Sequence, residues 1–208
     1  IVTPGIAFGD TMLEQKENNF LCGIVFGKEG AGAAFLDVST GTFRLAEGSE
    51  DFIGTLISSL HPREIITSRA WEKRVRSSFP ESGYITTLDE WAFVPDSSRE
   101  RLRRQLGVDN LKGYGIENQQ LGLCAAGALM VYLEQTHHSG LGNICSISRI
   151  DEGRFVWMDK FTLRNLEIFD SEGDSLLKVM DHCSSPMGSR LLRGSLALPI
   201  MDIPELNR

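Results

Sequence analysis

Three short strand-like runs follow one another near the start of the chain, and their order limits the folds open to it. The runs cover residues 20–26, 32–39 and 42–47, and turns that contain glycine separate them. Runs of this length, rich in apolar residues and bounded by such turns, are typical of consecutive β-strands. They predict a meander of three antiparallel strands.

A helix and a fourth strand follow the meander. Five apolar side chains between residues 52 and 60 have helical spacing, and Ser49 and Asp51 are candidates for the N-cap. Pro62 ends this helix because the residue before proline disfavours helical backbone angles. Residues 63–68 then form a short apolar run suited to a buried strand. A strand–helix–strand crossover normally adds a parallel strand, so we expect a mixed sheet with helices packed against it.

Two further helices are predicted before a domain boundary. A strand is expected near residues 83–87, and the first helix is expected to be capped by Asp96-Ser97-Ser98 and stopped by Gly107. The second covers residues 117–135, and its small residues, Gly122, Ala126 and Gly127, would allow another backbone to approach closely. The Gly-, Ser- and Asn-containing stretch from 137 to 146 is the best boundary in the chain.

The remaining residues predict one strand and several helices. The strand is expected at 154–159, followed by a helix over 162–169 capped by Thr162 and a helical piece over 175–183. Ser185 and Pro186 then open a helix that Pro199 closes.

Composition and charge restrict the function. The chain has 208 residues, more than the usual ~100–150 of one domain, so we expect one domain and part of a second. No run approaches the ~18 apolar residues of a membrane span. The net charge of -7 opposes autonomous binding to DNA phosphates. Four widely separated cysteines without a CxxC pair favour a reduced, cytoplasmic protein, and the ends of the chain favour an internal fragment.

Five segments resemble, in order, the MutS family of DNA mismatch-repair proteins. They are TPG at 3–5, FLDVSTGTFRL at 35–45, LCAAGALMVYLEQT at 123–136, DKFTLRNLEIF at 159–169 and SLLKVMDHCSSPMGSRLLRGSLALPIMD at 175–202. The resemblance implies that residues 1–147 form the connector domain, with a ribonuclease-H-like mixed sheet and flanking helices. It implies that residues 148–208 form the truncated start of the mainly helical core, or lever, domain.

The same resemblance implies a function. The fragment is expected to be a non-catalytic, monomeric connector that couples the mismatch-binding domain to the core and ATPase, and to help dock a MutL-type partner. It would itself hold no cofactor, metal or catalytic residue. The full-length parent would bind mismatched DNA and act as a DNA-dependent ATPase with ATP and magnesium. Its mismatch-reading motif would lie upstream of this chain and its P-loop downstream.

The sequence also offers candidate sites with simpler explanations. Arg101, Arg103 and Arg104 form a predicted docking patch for the partner, although helical spacing and Glu100 also fit a solvated face. Arg190 and Arg193 are candidates for phosphate contacts, but snorkelling or intramolecular salt bridges are favoured. The glycine-containing segments near the start of the chain and at 140–143 are predicted to act as movable joints.

Three hypotheses of an enzyme or metal site compete with structural roles for the same residues. A ribonuclease-H-like nuclease needs several carboxylates around divalent metals, and Asp37 is a candidate ligand, but a carboxylate entering a turn commonly caps backbone NH groups. The segment 23–28 has the wrong spacing for a phosphate-binding loop. His137, His138 and Cys145 lack the paired short spacings of a structural zinc site. Cys22 and Cys124 are predicted to be buried hydrophobes.

Overall fold

Six strands form one mixed sheet in the computed structural model of the protein, which describes residues 16–80, 83–136, 141–169 and 173–206. The strands are β1 (Phe20–Phe26), β2 (Ala31–Asp37), β3 (Thr42–Gly48), β4 (Glu64–Ser68), β5 (Tyr84–Leu88) and β6 (Ser148–Arg149). Their order across the sheet is β5-β4-β1-β2-β3-β6.

Strand β2 is antiparallel to both of its neighbours, and every other pairing in the sheet is parallel. The first five strands therefore have the order and directions of the ribonuclease-H-like fold. Both the antiparallel meander and the parallel addition of β4 after a helix confirm the sequence prediction. The predicted strand near 83–87 is β5.

Eight helices accompany the sheet in the described part of the chain. They are α1 (Glu50–Leu60), α2 (Glu72–Ser78), α3 (Pro95–Leu106), α4 (Gln120–Gln135), α5 (Lys160–Asn165), α6 (Leu176–Met180), α7 (Pro186–Ala197) and α8 (Ile203–Leu206). Helix α4 crosses one face of the sheet, with α3 outside it, whereas α1 covers the other face and contacts α5 and α7. None of the described helices is long and apolar enough to cross a membrane.

Each face of the sheet has its own apolar core. Leu21, Leu36 and Leu45 pack towards α4, whereas Phe35 and Ile65 pack towards α1. Strands β1 and β2 are buried along their whole length. Because helices cover both faces, these strands are continuous apolar runs and do not alternate between apolar and polar residues.

Two glycines lie where neighbouring elements approach too closely for a side chain. A Cβ added to Gly23 of β1 would lie 2.5 Å from the carbonyl oxygen of Ala125 in α4. A Cβ added to Gly127 of α4 would lie 2.3 Å from the Cβ of Ser98 in α3. The predicted role of the small residues in the longest helix is therefore confirmed for Gly127. At this position α4 and α3 lie so close together that a side chain on α4 would not fit.

The predicted helix ends are partly right. The Ser49 hydroxyl accepts a hydrogen bond from the amide of Phe52 at 3.1 Å, and Gly107 ends α3 with φ 65°, both as predicted. The predicted Asp96–Ser98 cap is wrong, because α3 begins earlier, at Pro95, without a side-chain cap. Proline suits that first position because it has no N–H to satisfy and its φ is already helical.

The main differences between the predicted and the observed elements lie in the final third of the chain. The strand predicted at 154–159 is absent, and only Phe155 forms an isolated bridge, with Ile200. A strand needs a partner strand as well as a pattern, and β6, not this segment, pairs with β3. The predicted Thr162 cap is also wrong: the Asp159 carboxylate accepts from the Thr162 amide at 2.7 Å and starts α5 at Lys160. Ser185 and Pro186 open α7 as predicted.

Candidate coupling and docking surfaces

Two charged residues just before β1 connect the sheet to the helices at the end of the chain. The Glu17 carboxylate lies 3.3 Å from Nη2 of Arg63, beside β4, and 2.8 Å from Nη1 of Arg193 on α7. Lys16 Nζ lies 3.0 Å from the Asp181 carboxylate, between α6 and α7. We call these five residues the ion-pair latch. The intramolecular salt bridge predicted for Arg193 is confirmed.

Local contacts hold the latch in place. Hydrogen bonds from Lys16 and Ser189 hold the pKa of Asp181 at about 2, so this carboxylate is ionised at neutral pH. The Arg193 guanidinium lies 4.9 Å from the ring centroid of Phe169, a cation–π geometry. Ser189 and Phe169, which belong to the same region as Asp181 and Arg193, thus help to orient these two charges towards the leading segment.

The sheet and the helical end of the chain also share buried apolar contacts, which we call the apolar joint. Ile150, Ala197 and Leu198 are buried in the same cluster as Phe20 and Phe52, which belong to the sheet and α1. The backbone continues this connection, since the Ile150 amide donates to the Leu45 carbonyl at 2.8 Å. The sheet and the helical end of the chain therefore share one core.

Hydrogen bonds hold the described part of the predicted joint at 140–143. Residues 3–5 and Gly140 lie outside the described residues. Gln105 Nε2 donates to the carbonyls of Leu141 and Ile144 at 2.8 and 3.0 Å, and Asn143 Nδ2 donates to the Val38 carbonyl at 2.7 Å. These contacts argue against a hinge at 141–143.

The three arginines of the predicted docking patch do not share one environment. The Arg101 guanidinium lies 3.6 Å from Glu134 and 5.8 Å from the ring centroid of Trp91, so it fixes α3 to its neighbours. Arg104 is exposed and pairs with Glu100 at 3.3 Å, one helical turn away. Arg103 is exposed and has no ion-pair partner among the described residues. The docking prediction remains, and Arg103 and Arg104 are its accessible part.

The two fully buried carboxylates of the sheet point to opposite faces. Asp37 pairs with Phe20 of the α1 core, whereas Glu64 pairs with Leu21 of the α4 core. Because neighbouring residues of a strand alternate between faces, these carboxylates cannot bind one pair of metal ions. In the described part of the chain no group of three His, Cys, Asp or Glu residues is arranged to hold a metal.

Hydrogen bonds account for both carboxylates. Asp37 accepts from the Asn18 side chain at 2.7 Å and from the amide and hydroxyl of Ser39 at 3.0 and 2.6 Å, as predicted for a capping residue. Glu64 accepts from Tyr132 Oη and Thr86 Oγ1, both at 2.7 Å. The sequence patterns did not predict the buried role of Glu64. The one feature that could have indicated it is a carboxylate at the start of a buried apolar run.

The other candidate sites have structural explanations. Gly27 and Gly30 form the hairpin turn into β2, where the Gly27 amide donates to the Gly30 carbonyl at 2.8 Å. Cys145 is exposed, and His137 and His138 lie outside the described residues. Cys22 and Cys124 are buried as predicted, and burial raises both thiol pKa values, that of Cys124 to about 11.

Comparison with known proteins identifies the family. The family model described as MutS domain II matches residues 19–145, and the model of MutS domain III matches residues 161–208. The chain is 44% identical over 99% of its length to the DNA mismatch repair protein MutS of Parabacteroides distasonis. It is 42% and 44% identical over its full length to the MutS proteins of Bacteroides fragilis and Christiangramia forsetii.

The chain covers only part of the length of the relatives that it matches. It spans 24% of the length of each of these three relatives. A Fowlpox virus resolvase, solved with Holliday junction DNA, matches 57% of this chain and 99% of its own at a TM-score of 0.41 and 10% identity, too low to establish a shared fold. The matches to domains II and III place this chain in the MutS family of DNA mismatch-repair proteins.

Proposed function

We propose that this chain is a non-catalytic connector which transmits a conformational state from a mismatch-binding domain to the core and ATPase of its parent protein. The parent would bind mismatched DNA and hydrolyse ATP with magnesium in the cytoplasm. The ion-pair latch is the observation that carries the proposal. One carboxylate, Glu17, contacts both the sheet and α7 in the segment that leads into β1.

The geometry of the latch suits transmission. A displacement of Lys16 and Glu17 acts on Arg63 and on Arg193 together, because the same short segment contacts both. The side chains of Arg193 and Glu17 are 20% and 30% exposed, so the latch is accessible to solvent only in part. Surface ion pairs contribute ~0.2–1 kcal/mol each, so the latch can break and re-form without unfolding the shared apolar core. A segment that switches between two positions needs contacts weak enough to exchange and a core that stays folded while they do.

The test compares Glu17→Gln with Glu29→Gln in the full-length parent. Glu29 is an exposed carboxylate in the hairpin turn and serves as the matched control. We expect Glu17→Gln to keep mismatch affinity and to reduce the ratio of ATP turnover on mismatched to matched duplex, whereas Glu29→Gln changes neither. An unchanged ratio in Glu17→Gln would remove the latch from the mechanism.

A charge swap separates coupling from simple loss of stability. The double substitution Glu17→Arg and Arg193→Glu restores an attractive pair between the leading segment and α7. We expect it to recover part of the turnover ratio that either single substitution loses. Equal losses in all three variants would show that the effect is not transmitted through this pair.

We also propose that α3 helps to dock a MutL-type partner. Arg103 and Arg104 face solvent on its outer surface, where charged groups steer association. Arg103→Glu combined with Arg104→Glu should weaken partner binding in interferometry, and Lys73→Glu, on the exposed side of α2, should not. Equal affinity of the α3 variant and the unmodified chain would discard this surface.

A further inference from the structure

A groove of about 960 Å³ lies along the outer side of α1, on the opposite face of the sheet from α3. Its walls are α1, the end of α2, and the segment that contains Trp157, Asp159 and Phe161. A volume of this size is typical of ligand-binding clefts. The groove thus combines the connector surface with the first helix of the domain III match.

Two aromatic side chains line this groove and remain exposed. Trp157 has 53% and Phe161 75% of its surface accessible, and neither belongs to the core clusters of the sheet. Burying an aromatic side chain removes ~150–250 Å² of surface from water, so leaving two exposed together forgoes a large stabilisation. Exposed aromatic side chains that line one groove are typical of binding surfaces.

Among the described charged side chains of the groove, some carboxylates have a cationic partner and others do not. Glu50 pairs with Arg74, and Arg63 pairs with Glu17, so these charges are neutralised. Asp51, exposed in the first turn of α1, has no cationic partner among the described side chains.

Asp159 is the second uncompensated carboxylate of the groove, since no described side chain pairs a cation with it. Hydrogen bonds from Thr162 lower its pKa, so it is ionised at neutral pH. Among the described side chains, the groove therefore presents two carboxylates without a cationic partner and two exposed aromatic rings.

We propose that the groove binds a peptide segment of a partner protein in which a Lys or Arg lies next to an apolar side chain. The cation would contact the face of Trp157 and the carboxylates, and the apolar side chain would cover Phe161. The same carboxylates repel phosphate groups, so a cationic peptide is favoured over nucleic acid. The groove and α3 lie on opposite faces of the sheet, so this proposal is independent of the docking surface described above.

The probe is a fluorescein-labelled, amidated peptide Ala-Lys-Phe-Lys-Leu-Ala, titrated with the 208-residue chain and followed by anisotropy. Trp157→Ala should weaken binding by about tenfold, the size of a cation–π contact together with lost apolar burial. Trp91→Ala is the matched control because Trp91, 51% exposed, lies beside α3. It should leave the affinity unchanged.

Charge is tested with substitutions that keep the helices intact. Asp159→Asn retains an N-cap residue for α5 while removing its charge. Asp51→Asn removes a charge from the first turn of α1 and leaves its Ser49 cap in place. Each should weaken binding by about threefold, the effect of one exposed ion pair. Asp96→Asn, in the first turn of α3, is the charge-matched control and should have no effect.

Several results would overturn the proposal. They are absence of binding, equal binding of a peptide with Glu in place of both Lys residues, and unchanged affinity in Trp157→Ala. Displacement of the peptide by duplex DNA would assign the groove to nucleic acid. Binding by the isolated chain but not by the full-length parent would show that the parent's own residues fill the groove.

Discussion

Replacing Gly127 by alanine should destabilise the protein, although alanine is the better helix former. Gly127 lies inside α4, where the exchange alone would contribute about 1 kcal/mol in favour of folding. The new Cβ, however, would lie 2.3 Å from both Cβ and Oγ of Ser98 and 2.6 Å from its Cα. Since the last of these is a backbone atom, α3 must move away from α4. Overpacking of this kind costs ~1–3 kcal/mol, and the rigid neighbour favours the upper value. We expect a net loss of about 2 kcal/mol in the free energy of unfolding.

Gly194→Ala is the matched control. Gly194 lies inside α7, and a Cβ added there meets no atom within 4 Å, so the same exchange should stabilise by about 1 kcal/mol. Urea unfolding followed by circular dichroism measures both variants. With a slope of about 2 kcal/mol/M, the midpoint should fall by about 1 M for Gly127→Ala and rise by about 0.5 M for Gly194→Ala.

A second substitution tests the cause. Ser98→Gly removes two of the three contacting atoms, so it should recover part of the loss caused by Gly127→Ala. The coupling in this double-mutant cycle should be ~1 kcal/mol or more. Two results would refute the reasoning: strictly additive effects, or a Gly127→Ala variant as stable as Gly194→Ala.

Three further predictions concern buried and charged groups. Tyr132→Phe removes a donor from the buried Glu64 carboxylate and should cost ~1–3 kcal/mol in urea unfolding, whatever other contacts remain. Asp181 has its pKa lowered to about 2, first by Lys16, so its stabilising effect is present above its unfolded pKa and is lost as pH falls towards 2. Asp181→Asn should therefore flatten the acid limb of a thermal-stability profile. With a chromogenic disulfide reagent at pH 8, the exposed thiol of Cys145 should react at once, whereas the two buried thiols should react only after urea is added.

Local patterns were sufficient to predict most of the sheet from the sequence. Strand β1 has the predicted bounds, and α1 has the predicted Ser49 cap, because both follow from residues adjacent in the chain. The ion-pair latch could not be predicted in this way. Lys16 and Asp181 are 165 positions apart, and no periodicity relates one charged residue to another at that distance. The environment of Arg101 could not be predicted for a related reason, since its ion-pair partner, Glu134, is on a different helix.

The predicted boundary at residue 147 remains a prediction, but the structure shows what lies across it. Strand β6, just beyond that position, pairs with β3, and Ile150 joins the core of the sheet. The two regions are therefore joined by contacts of two physical kinds. The ion-pair latch lies near the surface and is screened by salt, whose Debye length is ~10 Å at 0.1 M, whereas the apolar joint is not. Raising the salt concentration should loosen the leading segment while α1 stays packed on α7. The leading segment can therefore move without separating the sheet from α7, because the ion pairs that break are not the contacts that hold the core together.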